Sequence, residues 1–236
     1  KYQHREAADQ RRGVSPPPLE QSVPEGKQVS PLPDACQVQV SPKDVTAAIV
    51  ERRSVRRYAE EPLTLDELAY LLWCTQGVVK QGRASTLRNV PSAGARHPLE
   101  TYVLANRVTD LQPGLYRYVA LSHGLVDVDL SPGAAEKVMQ GLLGQEMVIT
   151  SAATFVWTAV PYRCSWRYGE RAYRYIHLDA GHVCQNMYLA ALAIGAQCCA
   201  MAAFDDDFLN AVLGVDGESE FAIYAAAVGK GEGREA

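Results

Sequence analysis

The sequence has no run of apolar residues long enough to cross a bilayer, and its first residues contain no apolar signal core. These absences argue against a membrane protein and a secreted one, so we expect a cytoplasmic location. An excess of basic residues is also missing, because 23 Lys and Arg are outnumbered by 27 Asp and Glu. At a net charge of −4 we expect neither a nucleic-acid partner nor a membrane partner.

Motifs for metals, disulfides and side-chain catalysis are absent as well. The six cysteines form no C-x-x-C pair, and most sit in apolar surroundings, as small buried residues of a reducing compartment do. His177 and His182 are five residues apart, so they would not share one face of a helix. No Ser-His-Asp spacing and no acid–base pair of carboxylates is seen. We therefore assign no metal site and no catalytic side chain.

Apolar residues are plentiful enough for a sizeable core. The chain has 236 residues, of which 47% are hydrophobic and 21% charged, as in one domain or one subunit of an interleaved dimer. Residues 1–40 are rich in proline, which suits neither a helix nor a central strand. They form either a flexible tail or an extended arm on the body or on a partner subunit, and their apolar residues favour an ordered arm. Residues 41–236 are assigned to the main domain.

Residues 52–58 carry four arginines and a serine, which we call the arginine segment. A helix is predicted before it, with Ser41 as N-cap, proline in the first turn and Asp44 three residues on. Guanidinium groups match phosphate oxygens and stay charged at any working pH. They would also suit the C-terminal end of a helix as a solvated cap. The segment alone fits both interpretations equally, and the acidity of the whole chain favours an anion site.

Further elements follow from caps and periodicity. Thr64 and Glu67 form a capping box ahead of a helix that ends near Gly77, and residues 78–90 are predicted to be a loop. Helices are also predicted after Ser131, from Tyr173 to Ile194 and after Asp205. Strands are predicted over 102–105, 115–119, 125–129, 155–160 and 221–228.

Several motifs occur in an order that resembles the nitroreductase superfamily of flavin enzymes. More narrowly, the chain is similar to the branch of dehydrogenases that oxidise azolines in modified peptides (the SagB-type branch). The similarity covers about 16–230, and one motif alone would be weak. The motifs lie at Arg52 to Arg56, Leu71 to Gly77, Pro91 to Glu100, Leu178 to Asn186, Ala203 to Asp206 and Val228 to Lys230.

The resemblance implies an α+β fold, with a central, mostly antiparallel sheet flanked by helices in an interleaved homodimer that binds FMN at its interface. In the family the first cluster holds the FMN phosphate and ribityl chain, a loop of the other subunit covers the ring, and backbone N–H groups bond to N5 and O4. The implied cofactor-binding residues are Arg52, Ser54 and Arg56, with Arg53 at a variable position; Lys230 and, more loosely, Arg234; Pro91, Ser92, Ala93 and Gly94 in the covering loop; and Ala202 and Ala203 near N5.

The activity implied by the resemblance is ping-pong hydride transfer at flavin N5 between NAD(P)H and a small acceptor such as a nitroaromatic or a quinone. A cation near N1 and O2 would favour the reduced flavin, and Arg56 is the first candidate for it, ahead of Arg96. One alternative is oxidation of azoline rings in a peptide. Enzymes of that branch rely on a Lys-Tyr pair, and the only Lys-Tyr here is Lys1-Tyr2. A flavin-binding protein without turnover is another alternative.

Two further groups of residues have open roles. Gln185 and Asn186 lie in a helix predicted to be buried, where their amides would serve structure as readily as flavin contact. Five aromatic residues fit either a lid over the substrate or ordinary core and rim positions. They are Trp157, Tyr162, Trp166, Tyr168 and Tyr173.

Overall fold

The computed structural model describes residues 8–41 and 43–231. Its main sheet has seven strands, antiparallel throughout, in the order β1-β6-β5-β4-β7-β9-β8, and β2 and β3 form a separate hairpin. The strands are β1 Ser30–Pro31, β2 Val78–Gln81, β3 Thr86–Arg88, β4 Leu99–Ala105, β5 Gly114–Val119, β6 Gly124–Asp129, β7 Ala153–Ala159, β8 Ala196–Met201 and β9 Phe221–Lys230. The helices are α1 Val45–Glu51, α2 Leu65–Gln76, α3 Ala134–Gly141, α4 Met147–Thr150, α5 Pro161–Tyr168, α6 Ala172–Ala193 and α7 Asp206–Leu213.

Two cores cover the two faces of the sheet. Successive side chains of a strand point to opposite faces, so Phe155 and Trp157 of β7 join the core beneath α2 and α6 while Val156 joins the core beneath α3 and α7. Every residue of β7 is buried, as expected of a strand with helices on both sides. The predicted α+β fold with an antiparallel sheet is thereby confirmed. Among the described residues, no helix is long and apolar enough to span a membrane.

Caps decide where several helices begin. Thr64 and Glu67 form the predicted capping box of α2, and Asp205 accepts a hydrogen bond from the Phe208 N–H at the start of α7. The N-cap of α1 is Asp44, which accepts from the N–H groups of Thr46 and Ala47, so the prediction of Ser41 was wrong. An Asp side chain followed directly by the apolar run is the better cap. The proline predicted for the first turn, Pro42, lies outside the described residues.

Strands β2, β3 and β8 differ from the sequence prediction. Residues 78–90 contain the β2–β3 hairpin rather than a loop, and two of its apolar side chains, Val79 and Leu87, are exposed. Strand β8 was not predicted, since its Ala-Gln-Cys-Cys-Ala run has low intrinsic strand propensity. It forms because it pairs along its whole length with β9.

The proline-rich N-terminal segment lies on its own chain and supplies main-chain carbonyls to buried arginines. Arg163 donates through Nε to the Pro18 carbonyl at 3.1 Å. Arg117 donates to the carbonyls of Gln21 and Ser22 at 3.1 and 2.8 Å. Peptide carbonyls of the segment are thus matched to guanidinium donors that are also removed from water.

Glu100 completes this buried cluster. Its carboxylate pairs with Arg163, lies 3.8 Å from Arg117 and accepts the Gln21 N–H at 2.7 Å. All three charged side chains are at most 5% exposed. The N-terminal segment is therefore attached to β4, β5 and α5 by charge-assisted hydrogen bonds inside the protein.

Replacing Arg163 with Met should lower the free energy of unfolding by about 3–5 kcal/mol, because Glu100 is left buried without its main partner. Urea unfolding followed by circular dichroism measures the change. Arg174→Met, at an exposed arginine of α6, should change it by less than about 0.5 kcal/mol. Equal stability of the two variants would contradict the structural role of the cluster.

Candidate functional site

The arginine segment runs along the edge of the main sheet. Ser54 forms a parallel bridge with Cys198, and the Val55 N–H donates to the Cys198 carbonyl at 3.1 Å. Farther along, the Ala59 N–H donates to the Lys230 carbonyl at 3.0 Å. The segment therefore covers the free edge of β8 and the end of β9, which fixes the backbone from which the arginines project.

Two members of the segment meet one tyrosine of α6. The Ser54 hydroxyl lies 2.9 Å from the Tyr188 hydroxyl, and the Arg52 guanidinium carbon lies 5.2 Å from the centre of the Tyr188 ring. The Tyr188 oxygen also accepts the Ala200 N–H at 2.9 Å. Arg52 and Ser54 are two residues apart, so an extended backbone turns both to the same side.

The arginines differ in what else they contact. Arg53 donates to the carbonyls of Val50 and Arg52 at 2.7 and 2.8 Å, so it caps the C-terminal end of α1, as the second interpretation of the segment proposed. Within the described ranges, no carboxylate lies at ion-pair distance from Arg52, Arg56 or Arg57. Three guanidinium groups therefore remain available to an anion from solution.

The charge of the segment acts on both faces of β8. Burial raises the pKa of the Cys198 thiol, and the Arg52 guanidinium opposes that rise. Burial raises the pKa of Cys199, and the Arg56 guanidinium opposes that rise. These two cysteines belong to different cores, on opposite faces of the sheet. Arg52 thus lies on the α6 side of the strand, and Arg56 lies nearer the other side.

Lys230 is engaged elsewhere in this structure. Its ammonium pairs with the carboxylate of Glu67 in α2 and donates to the Ile194 carbonyl at 2.7 Å. It therefore holds the end of β9 to α2 and α6, and a phosphate contact would require it to leave these partners. Arg234, the other predicted residue of this tail, lies outside the described residues.

The predicted covering loop, Pro91 to Gly94, is anchored to α6 by Asp179. The Ser92 hydroxyl donates to one carboxylate oxygen of Asp179 at 2.6 Å, and the Ala93 N–H donates to the other at 3.2 Å. The Ser92 oxygen in turn accepts the His97 N–H at 2.8 Å. Burial raises the pKa of Asp179, and the bonds from Ser92 and Ala93 oppose that rise.

The loop has an unusual backbone. Gly94, Ala95 and His97 have φ of +61°, +51° and +44°, a region that costs energy for residues other than glycine. Few of its amides are free, since Ala93, Ala95 and His97 donate within the chain. In the part of the chain that the structure describes, only the Ser92 and Gly94 N–H groups of residues 92–97 have no acceptor.

Helix α5 packs against the loop. A Cβ atom placed on Gly94 would lie 2.4 Å from the Tyr168 hydroxyl, so a larger residue would displace that side chain, and the positive φ also favours glycine. Arg96, the second candidate for a cation beside the flavin, donates to the carbonyls of Arg163 and Ala84 and stacks 4.8 Å from the Trp166 ring centre. It is 5% exposed and serves to hold the loop on α5.

The other predicted flavin contacts, Ala202 and Ala203, follow β8 directly and are exposed. Within residues 8–41 and 43–231, neither amide has a hydrogen-bond acceptor, and the Ala203 carbonyl accepts from Gln145 at 3.1 Å. Two donors are thus left without an acceptor among the described residues, on exposed residues just beyond the strand that the arginine segment covers.

The structure shows where the two amide residues of α6 and the five aromatic residues lie. Asn186 donates to the carbonyls of Cys74 and Asn89 at 2.9 and 3.2 Å, which is a structural role, whereas Gln185 is exposed and not buried as expected. The five aromatics do not form one lid. Trp157 is inaccessible in the core and Trp166 is 6% exposed, while Tyr162 and Tyr173 are exposed.

Sequence reasoning missed the two α6 residues that organise both parts. Asp179 stands in the motif at Leu178 to Asn186, yet its partners Ser92 and Ala93 are over 80 residues away. Tyr188 belongs to none of the motifs, and no pattern in the sequence indicated it. The Lys1-Tyr2 pair lies outside the described residues.

Comparison with known proteins identifies the family. The sequence model of the Nitroreductase family matches residues 49–230. MJ1384 of Methanocaldococcus jannaschii, provisionally named a nitroreductase, is 33% identical over 199 residues, covering 84% of this chain and 94% of its own. The trifolitoxin-processing protein TfxB of Rhizobium leguminosarum bv. trifolii is 29% identical over 147 residues, 61% of this chain. The chain belongs to the nitroreductase family, and thus to a group of oxidoreductases.

Solved structures share the fold. A crystal structure from Anabaena variabilis, also provisionally named a nitroreductase, has a TM-score of 0.66 and 31% identity over 78% of this chain. The NADPH:FMN oxidoreductase of Vibrio harveyi, solved with NAD+, has a TM-score of 0.56 and 14% identity, covering 78% of this chain and 67% of its own, which shows the fold alone. The present chain spans 39% of TfxB and 37% of the Anabaena chain.

The buried His97 gives the loop a pH dependence. Burial, with the Arg88 guanidinium nearby, lowers the pKa of His97 to about 3, whereas an unfolded histidine has a pKa of about 6.5. Its contribution to stability is complete above about pH 6.5 and is lost as the pH falls towards 3, because only the unfolded state binds the proton. Between pH 6 and 4, the wild type should lose about 1.4 kcal/mol per pH unit more than His97→Asn.

Urea unfolding at several pH values measures both slopes. Asparagine tolerates the positive φ at this position, so the variant changes the titration and not the backbone. His182→Asn, at an exposed histidine of α6, should keep the wild-type slope. A slope for His97→Asn equal to that of the wild type would show that His97 does not stay neutral in the folded state.

Proposed function

We propose that this protein is an FMN-dependent oxidoreductase that transfers hydride between NAD(P)H and a small organic acceptor such as a nitroaromatic or a quinone. The observation that carries the proposal is that Arg52, Arg56 and Arg57 have no ion-pair partner among the described residues, in a chain with a net charge of −4, and that Arg52 and the Ser54 hydroxyl meet at one tyrosine. Arg52 and Ser54 therefore suit a phosphate of a bound cofactor.

The residues present fit FMN in two respects. Arg52 and Ser54 would hold the phosphate and the ribityl chain, with Arg53 behind them at the end of α1. The exposed amides of Ala202 and Ala203 would donate to the N5 and O4 edge of the ring. Both groups adjoin β8, because the arginine segment lies along that strand and the two alanines follow its last residue.

A dimer would complete the site. Asp179 and Tyr188 are nine residues apart on α6, which is two and a half turns, so they leave the helix on opposite sides. The loop of Pro91, Ser92, Ala93 and Gly94 is therefore directed away from the arginine segment of its own chain, as a loop covering a partner's flavin would be. Exposed Val45, Ile49 and Val50 on α1 give the chain an apolar face suited to a homodimer interface.

When bound, FMN would supply the redox chemistry, which is transfer of a hydride (two electrons and a proton) from NAD(P)H to the acceptor. The protein need only bind, orient and shield, so no catalytic base is assigned. Arg56 is proposed as the cation beside N1 and O2, while the bonds of Arg96 leave it structural. Lys230 and Arg234 are retained as proposed phosphate contacts, and for Lys230 this requires exchange with Glu67.

Oxidation of azoline rings in a peptide is a second candidate, favoured by the 29% identity to a toxin-processing protein over 61% of the chain. A candidate azoline peptide incubated with the protein would lose two mass units if this activity is present. If the peptide neither binds nor changes in mass, this activity is excluded. A third candidate, flavin binding without turnover, requires a yellow protein that NAD(P)H does not bleach.

The absorbance spectrum of the purified protein tests the main proposal. Bound flavin should give a yellow protein, or one that becomes so with added FMN, and anaerobic NADH or NADPH should bleach it. Subsequent addition of a quinone should restore the colour. A colourless protein that takes up no FMN would defeat all three candidates.

Arg52→Ala should weaken FMN binding by on the order of tenfold to a hundredfold, since it removes a charge-assisted phosphate contact. Quenching of flavin fluorescence measures the dissociation constant. Arg83→Ala, at an exposed arginine of the β2–β3 hairpin, should leave it unchanged. The same FMN affinity in both variants would count against the assignment of Arg52.

A further inference from the structure

We infer that Tyr188 is a positioning residue, which sets the Ser54 hydroxyl and the Arg52 guanidinium for a phosphate group and ties both to β8. This inference rests on the proposed function, since the phosphate is taken to be that of FMN. Tyr188 itself need not touch the cofactor. It contacts Ser54, Arg52 and Ala200, and each contact orients a different group: a hydroxyl, a guanidinium and a main-chain N–H.

The hydroxyl of Tyr188 orders the protons of this site. Its oxygen accepts the Ala200 N–H at 2.9 Å and lies 2.9 Å from Ser54 Oγ. By geometry either hydroxyl could donate in this pair. Because a phenol is a far stronger acid than an aliphatic alcohol, we take the Tyr188 O–H as the donor to Ser54. The Ala200 N–H bond polarises the phenol towards donation. Ser54 then keeps its own proton free, and its hydroxyl donates to an anion.

The ring of Tyr188 orders the cation. The Arg52 guanidinium carbon lies 5.2 Å from the ring centre, within the range of a cation–π contact. This contact uses the flat face of the guanidinium. Its N–H groups lie in the plane and have no acceptor in the part of the chain that the structure describes, so they stay available to phosphate oxygens. The long side chain is thus restrained without being neutralised.

The third contact links the two ends of the candidate site. Ala200 is in β8, two residues before Ala202, one of the two amides proposed to face the flavin ring. Because the Ala200 N–H is bonded to Tyr188, one side chain of α6 fixes the spacing between the phosphate side and the strand that leads to the ring side. Replacing Tyr188 should therefore affect recognition of the phosphate more than folding.

The decisive variant is Tyr188→Phe, which keeps the ring and removes the hydroxyl. FMN binding should weaken by about tenfold, and riboflavin binding, which involves no phosphate, by less than about twofold. Fluorescence titration with each flavin gives the ratio of the riboflavin dissociation constant to the FMN dissociation constant. Tyr116→Phe is the matched control, because it removes one tyrosine bond, to the Gln112 carbonyl at 2.6 Å on β5, and should leave that ratio unchanged.

A double-mutant cycle with Ser54→Ala tests the route of the effect. If Tyr188 acts through Ser54, the double variant should show nearly the same ratio as either single variant. Ser54 is exposed, so Ser54→Ala should fold even if Tyr188→Phe does not. As a single substitution it should lower the ratio of the riboflavin to the FMN dissociation constant.

The outcomes separate the two proposals. A wild-type protein that takes up no flavin would defeat the proposed function. A wild type that binds FMN more tightly than riboflavin, with Ser54→Ala or a folded Tyr188→Phe keeping that preference, would overturn the inference alone. Fully additive losses in the double variant would likewise show that Tyr188 does not act through Ser54.

Discussion

The main-chain pairing of the arginine segment with β8 is the constraint on which the candidate site depends. An edge strand exposes N–H and C=O groups that must be paired or covered. Here the cover is supplied by residues 54 and 55, joined to Cys198, so the segment that protects the edge also presents the guanidiniums. A flexible tail with the same arginines would lose conformational entropy on binding an anion, and this segment has largely lost it in folding.

Local signals in the sequence predicted much of the fold. Residues close together in the sequence determine the capping box of Thr64 and Glu67, the apolar strand β7 and the long helix α6. The elements that were missed depend on partners elsewhere. Strand β8 is composed of residues with weak strand preference and exists through its pairing with β9. Most residues of the β2–β3 hairpin are exposed or half-buried and Thr86 is buried, so no alternation of apolar and polar residues marked it.

The candidate site was predicted only as far as its motifs reach. The arginine segment and the 91–94 loop carry dense local patterns, and the structure gives each a defined place. Their anchors, Tyr188 and Asp179, lie on α6 more than 80 residues from the groups they hold. A hydrogen bond across that separation leaves no periodic trace in one sequence. Lys230 is the opposite case. Its positive charge suggested contact with a phosphate from solution, whereas its partner in the fold is the carboxylate of Glu67.

The burial of Arg163, Arg117 and Glu100 beneath the N-terminal segment has a consequence for synthesis on the ribosome. Gln21 also donates to Glu220, a residue 199 positions later in the chain. The segment therefore emerges long before the residues that receive it, and its bond to Glu220 cannot form until that residue has been made. Contacts of such separation slow folding, so we expect the waiting segment to be open to proteases and chaperones in the nascent protein.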